Sequence, residues 1–342
     1  MRIITTLSAL MPGLMFSLGA NAYPGDEMYA TPGRLVDVDD RHINLYCSGS
    51  GPPTIVLESG LGGRASTWAQ VQPALSTRAA VCSYDRAGYG FSDLGPEPRT
   101  SDHLAEDLHA ALSDAHVVGP YILVATAFGA FNVRLFANKY AHDVAGMVLL
   151  NPSPEDEELV PAAPTIERID NEGLTHARNC GDAARAGKLF AASPERASCV
   201  PAQNPRLSPT LNAARLAQLE KPNAWSALAA EWSVIRESAA MVAEARKVPI
   251  AVPLIVVSEG SAPAFDEFSG RDKMALSAAW THWSAWQDDI AALSRDSEHI
   301  RTAGSGRAVE TDDPALVVAA VEKVLSAVAN RQPLRALPPV ER

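Results

Sequence analysis

Basic residues are scarce in this chain of 342 residues: 29 Lys and Arg stand against 40 Asp and Glu, a net charge of −11. Removing Arg2, the one charged residue among the first 22, takes it to −12. Nothing in the sequence supplies the grouped cations that phosphate neutralisation requires, which excludes a nucleic-acid partner. Cys-x-x-Cys spacing is absent, so the four cysteines do not read as metal ligands, and no metal is expected. Beyond the first two dozen residues no apolar run reaches the ~20 residues of a spanning helix, which excludes a membrane span in the mature form. There is no internal repeat. What is present, 47% hydrophobic and 20% charged residues, is enough to bury a core and too apolar for a disordered chain.

The start of the chain has its own pattern. Arg2 precedes an apolar run from Ile3 to Leu18 that Pro12 and Gly13 interrupt, and Ala20 and Ala22 stand two apart before Tyr23. This is the order of a secretory signal cleaved after Ala22, so a secreted or periplasmic protein is expected. An even number of cysteines in an exported chain then reads as two disulfides among Cys47, Cys82, Cys180 and Cys199.

Gly33 to Asp40 and His42 to Cys47 have strand character around an Asp39-Asp40 turn, which predicts an antiparallel entry pair. Compact apolar runs follow at Thr54–Leu57, Ala80–Tyr84, Tyr121–Val124, Val144–Leu150 and Pro253–Val257, alternating with helical patterns. Strands buried on both faces look like this, and the alternation predicts an α/β fold with a mostly parallel twisted sheet flanked by helices. Ser101 can cap a helix carrying Leu104, Leu108 and Leu112, and Asp313-Pro314 opens a last helix with Val317, Val321 and Val324. Residues 155–247 are Ala-rich and helical with no clear strand, which predicts a helical cap inserted into a core made of 23–154 and 248–342, after the signal at 1–22. On that division Cys180 and Cys199 staple the cap, and Cys47 and Cys82 join two strands. The tail from Arg331 to Arg342 is expected to fray.

The strand ending at Val124 runs into Ala125-Thr126-Ala127-Phe128-Gly129-Ala130 and then a helix. Small residues two before and two after a central position are what a nucleophile elbow needs, because its strained turn brings strand and helix close. Here the apex is Ala127, which has no nucleophilic atom.

Leu57-Glu-Ser-Gly-Leu-Gly-Gly63 with Trp68, Tyr84-Asp-Arg-Ala-Gly-Tyr-Gly-Phe-Ser-Asp93, Gly119-Pro-Tyr-Ile-Leu-Val124 and the elbow together resemble the α/β-hydrolase superfamily, most of all its exported esterase-like branch. The resemblance runs from about Gly33 to Ser153 and again from Val252 to Ala327, and leaves the cap unmatched. It implies an inserted cap, no cofactor, a small-molecule ligand or substrate as the partner, and an oxyanion hole at the backbone amides of Leu61 and Phe128. It also implies that the Asp85-Arg86 pair ties the loop after its strand.

The same resemblance marks what is missing. Where the family carries Ser-Gly-His before a Pro-headed helix, this chain has Ala303-Gly-Ser-Gly-Arg-Ala-Val309 ahead of Pro314, so Arg307 takes the histidine position. Arginine stays protonated and cannot act as a general base. For the acid, Asn151 ends one strand, and Glu259, Asp266 and Glu267 follow another. The triad is therefore degenerate, and a non-hydrolytic binding protein or one of altered chemistry is expected, for an anionic or carbonyl ligand; the alternative is a hydrolase of ester, lactone or amide bonds, either using a non-standard site or as an inactivated variant of an active serine hydrolase. Glu58, Trp68, Thr126 and Arg307 are the expected pocket residues, with an Arg307 ion pair to Glu58 or Glu259, and Trp225, Trp232, Trp283 and Trp286 as candidate walls. His299 is expected to be structural.

Overall fold

A computed structural model describes residues 25–156, 162–190, 192–261, 265–266, 268 and 270–340. The predicted leader and Glu267 lie outside the described residues.

Strands β1 (Arg34–Val38), β2 (Arg41–Ser48), β3 (Thr54–Glu58), β4 (Val81–Asp85), β5 (Tyr121–Thr126), β6 (Val144–Leu150), β7 (Leu254–Glu259) and β8 (Ser297–Thr302) form one sheet in the order β1-β2-β4-β3-β5-β6-β7-β8. β1, β2 and β4 pair antiparallel, and every other pairing is parallel. The expected entry pair turns at Asp39 and Asp40, both at positive φ (49° and 61°), as a two-residue hairpin that follows the strand twist requires.

Helices α1 (Gln72–Leu75), α2 (Ser101–Asp114) and α3 (Gly129–Lys139) are followed, between β6 and β7, by α4 (Ala163–Arg185), α5 (Pro194–Cys199), α6 (Pro209–Leu219), α7 (Pro222–Ser233) and α8 (Ile235–Ala245). Then come α9 (Gly270–Ala291), α10 (Val309–Asp312) and α11 (Pro314–Asn330). The central strands are buried on both faces, and alternate residues feed two cores. Val56, Leu123 and Met147 pack with Leu104, Leu108 and Phe136 of α2 and α3; Ile55, Ile122 and Val148 pack with Leu75, Val317, Val321 and Val324 of α1 and α11. The α/β sandwich read from the sequence is the observed one.

Asp313 caps α11 through Leu316 N (3.1 Å), with Pro314 opening the helix. α2 is capped by Thr100 and not by Ser101, one residue earlier than the apolar spacing suggested. The tail does not fray up to residue 340: Leu334 is buried in the α11 core and its amide donates to Asp296 Oδ1 (2.9 Å). Cys47–Cys82 bridges β2 and β4, and Cys180–Cys199 bridges α4 and α5, the two pairings expected.

Candidate functional site

β5 ends at Thr126, α3 begins at Gly129, and Ala127 lies between them at φ 48°. A side-chain-bearing residue in the left-handed region costs about 1–2 kcal/mol, so the surroundings must impose it. They do: Ala127 N donates to Leu150 O (3.0 Å), and Ser153 N donates to Ala127 O (3.3 Å). Gly129 has no alternative, because a Cβ there would stand 2.6 Å from Ser59 O.

The facing loop, residues 59–63, is held from beneath. Arg86 donates from Nη1 to Ser59 O (2.6 Å) and from Nη2 to Gly60 O (2.8 Å). Asp85 accepts from Ala65 N (2.9 Å), Phe91 N (3.1 Å) and Asn44 Nδ2 (2.7 Å), which anchors the stretches on either side. The Asp85-Arg86 pair thus acts as scaffold. With loop and elbow so placed, Leu61 and Phe128 border the same cavity, and neither amide has an acceptor among the described residues.

That cavity, of about 290 Å³, lies at the carboxyl ends of β5 and β7, beneath α4, α7, α8 and α9. Ligand sites of open α/β sheets form at strand carboxyl ends. Leu61, Ala127, Phe128 and Ser153 form its floor, and Trp232, Trp280, Trp283, Trp286 and Phe265 supply aromatic walls. Trp280 and Trp283 stack with centroids 5.6 Å apart, and the buried Trp283 indole N–H has no partner among the described residues. Three charged residues also line it: Asp170, Glu259 and Arg307. Burial pushes the Glu259 carboxyl up, and the Arg307 charge pulls it part of the way back. Burial raises Asp170 likewise, against Arg236.

Arg307 is exposed and has no carboxylate within 4 Å among the described residues. Its loop is set by Asn151, which at φ 41° donates from Nδ2 to Arg307 O (2.9 Å) and Gly306 O (3.3 Å) and accepts from Glu259 N (2.7 Å). The amide at this position therefore holds three strand ends together, a task that needs both a donor and an acceptor and that a carboxylate could not perform.

Several expected pocket residues lie elsewhere. Glu58 is fully buried below the floor, bonded to Arg86 Nη1 (2.8 Å), Asn132 Nδ2 (2.7 Å) and the Tyr84 hydroxyl, so it is not free to meet Arg307. Its partner Arg86 also reaches Glu231 of α7 (Nε to Oε1, 3.0 Å), which takes Arg99 (3.2 Å) and the Tyr89 hydroxyl (2.9 Å) as well. The expected Arg307–Glu259 pair is likewise not closed to contact distance. Trp68 is 0% exposed in the core with Val71 and Leu75. Thr126 does not border the cavity, and its hydroxyl donates to Glu310 Oε2 (3.1 Å). Trp225 packs instead against the Cys180–Cys199 bridge and edge-on to His176.

A family model described as alpha/beta hydrolase fold matches residues 53–207. The chain is 38% identical over 108 residues to the uncharacterised protein YqjL of Bacillus subtilis, a stretch covering 32% of this chain and 43% of that one. Among solved structures it resembles a thermophilic esterase from Thermogutta terrifontis (17% identity, 87% of this chain and 99% of that one, TM-score 0.55) and the epoxide hydrolase CorEH (15%, 86% and 98%, TM-score 0.59). The chain has the α/β-hydrolase fold. The first curated relatives are matched over less than half of their length, and the structural likenesses, below a fifth identical, show the fold alone.

In this α/β-hydrolase fold a Ser–His–Asp array does occur, away from the elbow. His299 on β8 lies between Ser258 Oγ (Nε2, 2.8 Å) and Asp288 Oδ1 of α9 (Nδ1, 2.7 Å). These are the separations of a nucleophile–base–acid relay. Ser258 is 1% exposed and borders no part of the tryptophan cavity, so no carbonyl can approach it there. The array fastens α9, and with it Trp280, Trp283 and Trp286, to the sheet. Sequence reasoning missed Trp280 and Asp170. Trp280, Trp283 and Trp286 stand three apart on one helix, a spacing that gathers side chains on one face and was there to be read. Asp170 carried no signal; only the packing of α4 brings it to the cavity.

Proposed function

We propose that this chain is an exported small-molecule-binding protein that uses the α/β-hydrolase pocket without serine chemistry. Its ligand is an apolar or aromatic compound bearing a carboxylate or carbonyl group. The observation that carries this reading is the strained elbow around Ala127, with two amides beside it and Arg307 at the cavity, neither amide nor the Arg307 guanidinium having a contact partner among the described residues. An elbow without a nucleophile still offers two aligned N–H donors, and such donors bind an oxyanion or carbonyl oxygen whatever the apex side chain. Arg307 adds charge-assisted bonds to a carboxylate, and the tryptophan walls supply apolar area for the remainder of the ligand. Residues 155–247 act as the cap that closes over it. Cleavage after Ala22 releases the protein to a compartment where both disulfides persist. The Thermogutta terrifontis esterase was solved with malate bound, a carboxylate held by a protein of the same fold.

Isothermal titration of the chain from Tyr23 onward against aryl carboxylates such as phenylacetate, with tryptophan fluorescence as a second readout, tests the proposal. Saturable binding weakened at least tenfold by Arg307→Ala is expected. No binding, or binding indifferent to Arg307→Ala, overturns it.

A second reading has Glu259 as a general base with Arg307 as electrophile. The raised Glu259 carboxyl in the same cavity favours it, since burial brings a carboxyl toward the working range of a base. Turnover that disappears in Glu259→Gln while ligand affinity persists would select this reading over simple binding. Hydrolysis of esters, lactones or amides through a non-standard site would show the same loss.

A further inference from the structure

Five arginines are buried among the described residues: Arg41, Arg64, Arg86, Arg99 and Arg134. Four have a carboxylate at contact distance: Arg41 with Asp107, Arg86 with Glu58 and Glu231, Arg99 with Glu231, and Arg134 with Glu155. Arg64 has none among the described residues. The one hydrogen bond of its guanidinium among the described residues runs from Nη1 to the neutral Gln218 Oε1 (3.1 Å). The nearby Asp85 favours the Arg64 charge from beyond contact distance, but its oxygens are committed to Asn44, Ala65 and Phe91. A buried cation without a counter-charge is costly, and proteins either pair such groups or keep them for a ligand.

Beside Arg64 lies a second arginine with no carboxylate partner. Arg215 of α6 bonds from Nη2 to Ala202 O (3.2 Å), and its buried Nε has no partner among the described residues, nor does the guanidinium meet a carboxylate there. The two guanidiniums border one cavity of about 300 Å³, together with Ser66, Thr67, Gln70 and Glu310. Burial lowers the Arg64 pKa; the Asp85 charge opposes that shift and the proximity of Arg215 adds to it, so the two cations stand near each other at a cost that Asp85 only partly offsets. Thr67 Oγ1 accepts from Arg64 N, which leaves its hydroxyl proton free to donate, and the Ser66 hydroxyl has no partner among the described residues. The acid on the wall, Glu310, has one carboxylate oxygen, Oε2, held by the Thr126 hydroxyl. Donors therefore converge from several directions, and a tetrahedral oxyanion has enough acceptor oxygens to meet them.

We propose that the cavity between the loop at 62–70 and α6 is a second ligand site, for a phosphate group of a small molecule, held by Arg64 and Arg215 with Ser66 and Thr67. It is separate from the tryptophan cavity but backs onto the same loop, since Leu61 borders one space while Gly62 and Gly63 border the other.

The test uses inorganic phosphate as probe, by isothermal titration at ionic strength matched with sodium chloride. Saturable binding is expected, weakened at least tenfold by Arg215→Gln. Because Arg215 is half-buried and outside the core, that variant keeps the fold; Arg64→Gln is a second variant whose refolding is not needed for the decision. Arg307→Ala should leave phosphate affinity unchanged. Absence of binding beyond the chloride control, full binding by Arg215→Gln, or loss of binding in Arg307→Ala each overturns the proposal. The last result would place the anion in the tryptophan cavity, and so separates failure here from failure of the functional reading above.

Discussion

Glu231→Ala tests most directly how the helices between β6 and β7 are joined to the sheet and its loops. Glu231 lies on α7, is fully buried, and accepts four hydrogen bonds: from Arg86 Nε (3.0 Å) and Nη2 (3.1 Å), Arg99 Nη2 (3.2 Å) and the Tyr89 hydroxyl (2.9 Å). Alanine would leave Arg99 with no carboxylate, its Nε being unpartnered already, while Arg86 would keep Glu58. Removing one member of a buried ionic network costs about 3–5 kcal/mol, because the cation left behind remains out of water. Against a total stability of roughly 5–15 kcal/mol that is a large fraction. At about 2–4 °C per kcal/mol for a domain of this size or somewhat smaller, the melting temperature should fall by on the order of 10 °C in calorimetry.

The consequence reaches the ligand cavity. The Arg86 guanidinium that bonds Glu231 also fixes Ser59 O and Gly60 O, so aryl-carboxylate affinity should fall as well. Glu231→Gln, which keeps one acceptor and the side-chain shape, should fall between. Burial opposes ionisation of Glu231, but Arg86 and Arg99 outweigh it and hold its carboxyl below the ordinary value. Its contribution is therefore complete above the unfolded carboxyl value of about 4.3 and is lost as pH falls through the lower folded value. The difference between wild type and Glu231→Ala should shrink on that acid side. A loss below about 1 kcal/mol at neutral pH in urea unfolding would refute the reasoning, since it would mean that the network is solvated or dispensable.

Placing a hydroxyl at the apex with Ala127→Ser should leave hydrolysis of an activated aryl ester at background, because Arg307 cannot take the serine proton; a rate gain of several hundredfold would show that another base reaches the elbow. Ala127→Gly should raise stability by about 0.5–1 kcal/mol in urea unfolding, as relief of the positive φ exceeds the entropy glycine adds to the unfolded chain; destabilisation would show that the methyl packs usefully. A fluorophosphonate probe should label no serine, Ser258 included, and adduct formation found by mass spectrometry at Ser258 would reveal an access route to the buried array. Replacing Cys180 and Cys199 by serine opens a loop of 19 residues and should cost about 3 kcal/mol in thermal unfolding, with a shift under 1 °C counting against a stapling role.

The outcome of the sequence reading differed between elements for physical reasons. β3, β5, β6 and β7 were legible because strands buried on both faces are continuous apolar runs, and α11 because its Asp-Pro cap and valine spacing are local signals. The elbow could be read for the same reason: small residues at Ala125 and Gly129 answer a close approach of strand to helix that any such turn imposes. Side-chain direction was not legible. Glu58 and Trp68 follow and flank the right motif yet face the interior, since whether a loop residue meets ligand or core depends on what packs behind it.

From sequence alone came the mostly parallel α/β architecture, the pairing of all four cysteines and the sharp strand-to-helix turn with alanine at its apex, all properties of residue type and local spacing. Only the tertiary structure decided which charges are compensated. Arg86 and Arg64 are similar in sequence terms, each following a β-strand in a glycine-containing stretch, but α7 brings Glu231 to the first while α6 brings the cation Arg215 to the second. Electrostatic pairing is set by which distant elements meet in a water-poor interior, and no local pattern encodes that meeting.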